Sequence, residues 1–504
     1  MASADARASA AGSDVLHSGG NAVDAAIAAN ALLAVTAPHL CGLGGDLFAL
    51  VFVDGQVSCL TAAGRAGARS DSAAMRGEGK RTMPLFGDPR SVTVPGCVDG
   101  LVALHERFGT RPLEELFAAA TGFARTGFAA GPILASAVGR LGSAARVELV
   151  ELVRQVTGPE SIVRRPGVAR TLAAVAAAGR DGCYRGEFGH GLLTLSGGTF
   201  TAPDLADSCA EWTEPLTASA WGVELWVAPP PSQGYLAPAA AQLADALSLP
   251  APSDPAWAHL LIECAAAAGH DRSEVLFDGA DGARLLQRSA GRRHLIDPDR
   301  AGPVIGGRAG DTTYLCATDA TGMAVSLIQS NASGFGAQLV EPATQINVHN
   351  RGLGFSLTAG HPAELQPGKR PPHTLVPALA TDQGGLRAVF GTRGGDAQPQ
   401  ILLRLAARLF HHREHPRSAV GAARWVLRSD SGFDTWTGAD VAVAVEGHAP
   451  EGWSDGLAAR GHRVVRLPAL DSAFGHAHVI ARLPDGGWAA AADPRTVIGS
   501  AEQA

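Results

Sequence analysis

Residues 22–38 constrain this chain more than any other stretch, because they are Ala- and Leu-rich on every side of a helical turn. A helix that is apolar all round has to be buried on all its faces. A membrane would also take such a helix, but Asp24 and Asn30 interrupt the run, and it falls short of the roughly 20 apolar residues a spanning helix needs. The expectation is therefore a buried, Ala-rich helix. With 504 residues, 46% of them hydrophobic, there is chain enough for a large core or two domains. Gly19-Gly20-Asn21 precedes the helix as a turn, and Gly42-Leu-Gly-Gly-Asp46 leads from it into residues 47–53, an apolar β-type run.

Further along, Pro95-Gly96 marks a turn before a helix with Val98, Leu101, Val102 and Leu104 on its apolar side. Ala- and Leu-rich segments near 113–155, 167–179, 236–248 and 256–269 give the middle of the chain a mostly helical reading. After about residue 310 the pattern changes. Residues 312–318 and 323–330 are two β-rich runs joined by Asp319-Ala-Thr-Gly322, which predicts a β-hairpin. Strands are expected at 344–349, 387–391, 440–445, 462–466 and 477–482, and helices at about 398–410 and 418–426. Neither an internal repeat nor a low-complexity linker divides the sequence. One compact body built from two segments is expected.

The net charge of −7 gives no positive field to draw in nucleic acid or anionic lipid, so a small-molecule enzyme is the leading class. Seven widely spaced cysteines, without a CxxC or a Cys/His cluster, suggest neither a disulfide framework nor a zinc site. The opening MASADARASAAG lacks a basic region followed by an apolar core, which points to a cytoplasmic protein.

Several residues carry chemistry worth weighing. Gly310-Asp311-Thr312-Thr313 places a hydroxyl at the start of a strand, where a chain cut before it would expose an N-terminal nucleophile. A freed α-amino group, with a pKa near 7.7–8.0, can act as base for the same residue's hydroxyl. Thr-Thr at a strand start also has the simpler reading of β-propensity. Gly391-Thr-Arg-Gly-Gly-Asp396 follows an apolar run, and its glycines can aim N–H groups at a developing oxyanion or simply form a turn. His411-His412-Arg413-Glu414-His415 fits H-x-x-E-H, but Pro416 would end the helix that has to present both histidines. Ser232 in Pro229-Pro-Pro-Ser-Gln-Gly234 reads as a loop serine, and His259, Glu263, His270, Asp271 and Arg272 read as a helix-face or capping network.

Seven segments in order, SGGNAVDAAIAANALLAV with GLGGDLFAL, VPGCVDGL, PPPSQG, GDTTYLCATDATGMAVSLIQSN, GKRPPHT, GTRGGD and AAADPR, resemble the γ-glutamyltransferase family of N-terminal-nucleophile hydrolases nearly end to end. The resemblance implies an α+β fold, a four-layer αββα sandwich. It implies a precursor that cuts itself between Asp311 and Thr312 into a helix-rich large segment, 1–311, and a catalytic small segment, 312–504, that stay associated. Thr312 would be the nucleophile, with Thr313 as the less favoured neighbour, Ser330 the hydroxyl that orients it, and Gly394 and Gly395 the oxyanion hole. No metal or cofactor is implied, and a homodimer is compatible with the resemblance.

The departures from the family pattern bear on substrate. Ala63 stands where γ-glutamyl enzymes carry the arginine that grips the glutamate α-carboxylate, Leu353-Gly354 replace an acidic pair, and His373-Thr374 replace a Ser-Ser pair. This set resembles the branch with oxamate amidohydrolases and the actinobacterial biosynthetic homologues that remove an oxalyl group. The implied substrate is a small carboxylate whose acyl or amide bond, an oxalyl carbon–carbon bond included, is hydrolysed. Arg65, Arg351, His373 and Arg393 are the expected sources of positive charge, with Thr313, Asn331 and Thr374 beside them. A γ-glutamyl hydrolase or transpeptidase, or a β-lactam side-chain acylase, is the alternative.

Overall fold

A computed structural model describes residues 1–303, 311–429 and 441–503. The central helix, Ala22–Thr36, is buried along its whole length. Asn21 caps it: its side chain accepts from Asp24 N–H while the Asp24 carboxylate accepts from Asn21 N–H, closing a capping box. Asp24, read as a break in an apolar run, is thus the residue that starts the helix.

Two antiparallel sheets form the middle of the molecule. The first runs, in spatial order, Ser500–Ala501, Ala2–Ser3, Asp311–Thr318, Ala324–Ala332, Asp46–Val53, Gln56–Ala62, Ala210–Thr213. The second runs Trp488–Ala491, Ala477–Arg482, Gly385–Thr392, Ala378–Asp382, Val223–Val227, Leu216–Ala220. Side-chain alternation decides what each face meets. Leu47, Ala49, Val51, Leu315, Ala317, Val325 and Leu327 join the central helix in one core. Their neighbours Phe48, Leu50, Phe52, Tyr314, Cys316 and Ile328 pack between the sheets against Leu379, Val389 and Ile480. The outer face of the second sheet is covered by helices Leu236–Asp245, Pro255–Gly269 and Gln398–Ala406. The result is the expected αββα sandwich, and the first sheet interleaves strands from both halves of the chain.

The hairpin predicted at 312–330 is present, and its turn is anchored. Asp319 accepts from Thr321 and Met323 N–H, while its other carboxylate oxygen accepts from Ala22 N–H at the start of the central helix. Two expectations need correction. Residues 210–227, read as part of a helical middle, supply three strands. The helix expected at 418–426 spans only Pro416–Gly421 before strand Trp425–Ser429 begins. All seven cysteines are buried and unpaired. Among the described residues no helix is long and apolar enough to cross a membrane.

Candidate active site

Strand register sets the site. Asp46, Ser330 and Thr312 are direct cross-strand partners in a row across the first sheet. They share the parity of Phe48, Ile328 and Tyr314, so all three project between the sheets; Thr313 has the opposite parity. A bulge after Ser330, with Ala332 at φ 71°, turns Ala332 N–H onto Ser330 Oγ at 2.8 Å.

The Thr312 hydroxyl donates to Ser330 Oγ at 3.0 Å, and the Ser330 hydroxyl donates to the Asp311 carbonyl oxygen at 2.7 Å. The nucleophile candidate is therefore linked through one serine to the carbonyl of the peptide bond before it. Arg351 Nη2 donates to Ser330 Oγ at 3.2 Å and Nη1 to Thr374 Oγ1 at 3.0 Å. Positive charge thus faces the serine oxygen as it polarises the carbonyl.

Asp46 organises the far side. Its Oδ1 accepts from Gly96 and Gly64 N–H, and its Oδ2 lies 3.0 Å from His373 Nε2 and 3.9 Å from Arg351 Nε. His373 Nδ1 accepts from Leu375 N–H, so Nε2 carries the proton that it donates to Asp46. Burial pushes the Asp46 carboxyl up to about 7, opposed by Arg351 and the two N–H donors. Burial, with Arg351 and His349 nearby, holds His373 well below the usual imidazole range. His373 is neutral, and the expectation that it offers positive charge is corrected accordingly.

Gly394, at φ 146°, and Gly395, at φ 56°, turn the chain where strand Gly385–Thr392 ends. Gln233, in the PPPSQG segment, ties that turn to the site by donating to both the Gly395 and Thr374 carbonyls. Arg393 Nη1 donates to Asp311 Oδ1 at 2.8 Å, and Nη2 to Ser472. A small cavity is lined by Arg272, Arg351, Leu353, Gly354 and Thr374.

Asp311, Thr312, Ser330, Arg351, His373, Thr374 and Arg393 are brought into one network. Arg65 is not: it is half-exposed and pairs with Glu211 at 2.9 Å, beside Arg370. Asn331 donates to the Pro38 carbonyl and holds the turn after the central helix. Sequence reasoning gave Asp46 no role, although it closes the GLGGD motif, and read Arg272 as part of a helix-face or capping network rather than as a cavity residue. His415 caps helix Pro416–Gly421, whereas His411 ends the preceding helical turn, so the H-x-x-E-H histidines do not share a helix.

The sequence profile of the gamma-glutamyltranspeptidase family matches residues 8–502. The oxamate amidohydrolase proenzyme of Klebsiella pneumoniae is 33% identical, over 96% of this chain and 94% of its own length. The glutathione hydrolase-like YwrD proenzyme of Bacillus subtilis is 30% identical, over 97% and 95%. Among solved structures, the cephalosporin acylase of Bacillus halodurans superposes with a TM-score of 0.89 at 30% identity, covering 99% of this chain and 94% of that one.

Proposed function

Because this chain belongs to the gamma-glutamyltranspeptidase family, a family of amide hydrolases, we propose that it is a self-processing hydrolase with Thr312 as nucleophile and a small oxamate-like or oxalyl-bearing carboxylate as substrate. The carrying observation is the relay from the Thr312 hydroxyl through Ser330 to the Asp311 carbonyl.

In processing, Thr312 Oγ1 attacks the Asp311 carbonyl carbon while Ser330 donates to the oxygen that gains charge. The C–N bond breaks, the nitrogen takes a proton, and Asp311 is held as an ester on Thr312. Water then hydrolyses the ester, leaving the Asp311 carboxylate and a free Thr312 α-amine. Residues 1–311 and 312–504 stay together, since strands of both pair in the first sheet. Departure of Asp311 also frees Arg393 Nη1, which it occupies in the uncut chain.

In turnover, the Thr312 α-amine in its neutral form takes the hydroxyl proton, and the oxygen attacks the substrate carbonyl. Gly394 and Gly395 N–H groups receive the oxyanion. The leaving group departs, and water releases the acyl group. Arg351 and Arg272, which line the cavity, favour a carboxylate at its end.

Residues 353–354 argue against a γ-glutamyl substrate. Leu353 is buried among Met75, Met83 and Phe355, and a Cβ at Gly354 would lie 2.3 Å from the Pro372 carbonyl oxygen. An amino-binding carboxylate has no room there, and the ligand charge left unpaired costs about 2–5 kcal/mol. The test is a panel of oxamate, N-oxalyl amines, glutaryl amides and γ-glutamyl p-nitroanilide. Oxamate or N-oxalyl turnover well above γ-glutamyl turnover is expected; the reverse order would reject the substrate assignment.

A further inference from the structure

Away from the Thr312 network, the fold gathers a second set of buried side chains. His259 and Glu263 lie one turn apart on helix Pro255–Gly269, where sequence alone suggests a helix-face network. His462 joins them from 203 residues away in sequence, just before strand Val464–Leu467. His259 Nδ1 lies 2.8 Å from His462 Nε2, Glu263 Oε1 lies 3.9 Å from that nitrogen, and all three atoms fall within 4.8 Å of one another. All three residues are buried.

The outward atoms fix which lone pairs point inward. His259 Nε2 is 2.9 Å from the Asp297 carbonyl oxygen, which can only accept, so the proton sits on Nε2 and Nδ1 presents a lone pair. Glu263 Oε2 accepts from Gly302 N–H at 3.1 Å, whereas Oε1 has no hydrogen-bond partner among the described residues. Arg460, two residues before His462, donates through Nη1 to the Gly456 carbonyl. The histidine pair can share one proton, which leaves the buried carboxylate oxygen unanswered. A divalent cation at the centre would answer all three atoms.

We propose that His259 Nδ1, His462 Nε2 and Glu263 Oε1 bind a divalent transition-metal ion of the zinc class, with water as fourth ligand, as a structural clamp. Two imidazoles and a carboxylate suit such an ion, and the Asp297 carbonyl supplies the outer hydrogen bond that orients a ligating histidine. Metal–ligand distances of about 2.0–2.2 Å place ligand atoms about 3.3 Å apart. The histidine nitrogens would open slightly and the carboxylate close slightly, both within side-chain reach. Binding needs the lone pair of His462 Nε2, so the single ring proton of that neutral imidazole moves to Nδ1 and both histidines ligate uncharged.

The position gives the clamp its use. Glu263 holds Gly302, and Ala301 N–H donates to the Arg460 carbonyl at 2.7 Å. Helix Pro255–Gly269, the 297–302 segment and the loop bearing His462 are thus gathered at one point. If the chain is cut before Thr312, as proposed above, the ion takes ligands from both fragments; binding itself does not depend on that cut.

The test uses untagged full-length protein, stripped with chelator, equilibrated with Zn²⁺, and measured by elemental analysis and thermal unfolding. About one zinc per chain and a raised Tm are expected for wild type. His259→Ala and His462→Ala are expected to lose both effects, while a His411→Ala/His412→Ala variant keeps them. Co²⁺ in place of Zn²⁺ is expected to give the visible absorption of a tetrahedral site in wild type only. The uncut Thr312→Ala chain is expected to bind zinc like wild type, so processing and metal binding are judged separately. Folded wild type that retains no more zinc than His462→Ala and gains no Tm overturns the proposal. Zinc lost with His411 and His412 but kept without His462 overturns it as well.

Discussion

Replacing Ser330 by alanine removes the group that joins nucleophile to scissile carbonyl. In the native network Ser330 donates to the Asp311 oxygen at 2.7 Å and receives the Thr312 hydroxyl at 3.0 Å. Loss of one donor aimed at a developing oxyanion slows comparable reactions by about 10²–10³. The same change strips Ala332 N–H and Arg351 Nη2 of their acceptor in a buried place, which costs about 1–3 kcal/mol of stability. Arg351 retains Thr374, so the variant is expected to fold with a lowered Tm. Freshly synthesised precursor, sampled over time by denaturing intact-mass measurement, gives the processing rate directly; thermal unfolding of the same samples gives the stability. Ser330→Thr, which restores a hydroxyl on the same strand, is expected to recover part of the rate. A folded Ser330→Ala chain that processes at the wild-type rate would refute the relay.

Three more outcomes are expected. Burial raises the Asp46 carboxyl from 3.8 to about 7, so the native state favours its protonated form. That contribution to stability is full below about pH 4 and is lost as pH rises through about 7, a decline of roughly 4 kcal/mol. The stability of wild type relative to Asp46→Asn, from denaturant unfolding, should fall across that window; a constant difference would contradict the assignment. In Gly391→Ala the new methyl would meet the Tyr314 ring at 2.2 Å, two residues from Thr312 along its strand. Overpacking of this kind costs about 1–3 kcal/mol, read as a lower Tm, and an unchanged Tm would show that the sheets part more easily than argued. Asp493→Ala leaves Arg424 and Arg495, both buried, without a shared carboxylate. A loss of about 3–5 kcal/mol in urea unfolding is expected, and a neutral result would deny the AAADPR segment its structural role.

The parts of the fold legible in the sequence are those with strong local signals. Helix Ala22–Thr36 announces itself by apolarity on every side, interrupted only at Asp24 and Asn30, after the Gly19-Gly20-Asn21 turn, and the hairpin bearing Thr312 and Ser330 by two β-rich runs around Asp319 and Gly322. The strands within 210–227 are short, and Ala218, Glu224 and Trp226 give no clean alternation; pairing to Gln56–Ala62 and Ala378–Asp382 decides their state. Strand Trp425–Ser429 likewise depends on pairing with Val441–Glu446, so its Ala-rich approach misleads a local reading toward helix. At the site, residue types were legible and charges were not. His373 is a cation candidate in sequence and a neutral donor to Asp46 in the fold, because burial decides its protonation. Arg65 lies two residues from Ala63 and is an expected source of positive charge, yet Glu211, far along the sequence, claims it. Asp46 gains its role only through register with Ser330.

The central claim is that Thr312 is the nucleophile of its own release. Intact mass of the purified protein under denaturing conditions, beside Thr312→Ala, tests it most directly. Two fragments dividing between Asp311 and Thr312 in wild type, and one uncut chain in the variant, are predicted. A single uncut chain from both, or the same two fragments from both, would contradict the account.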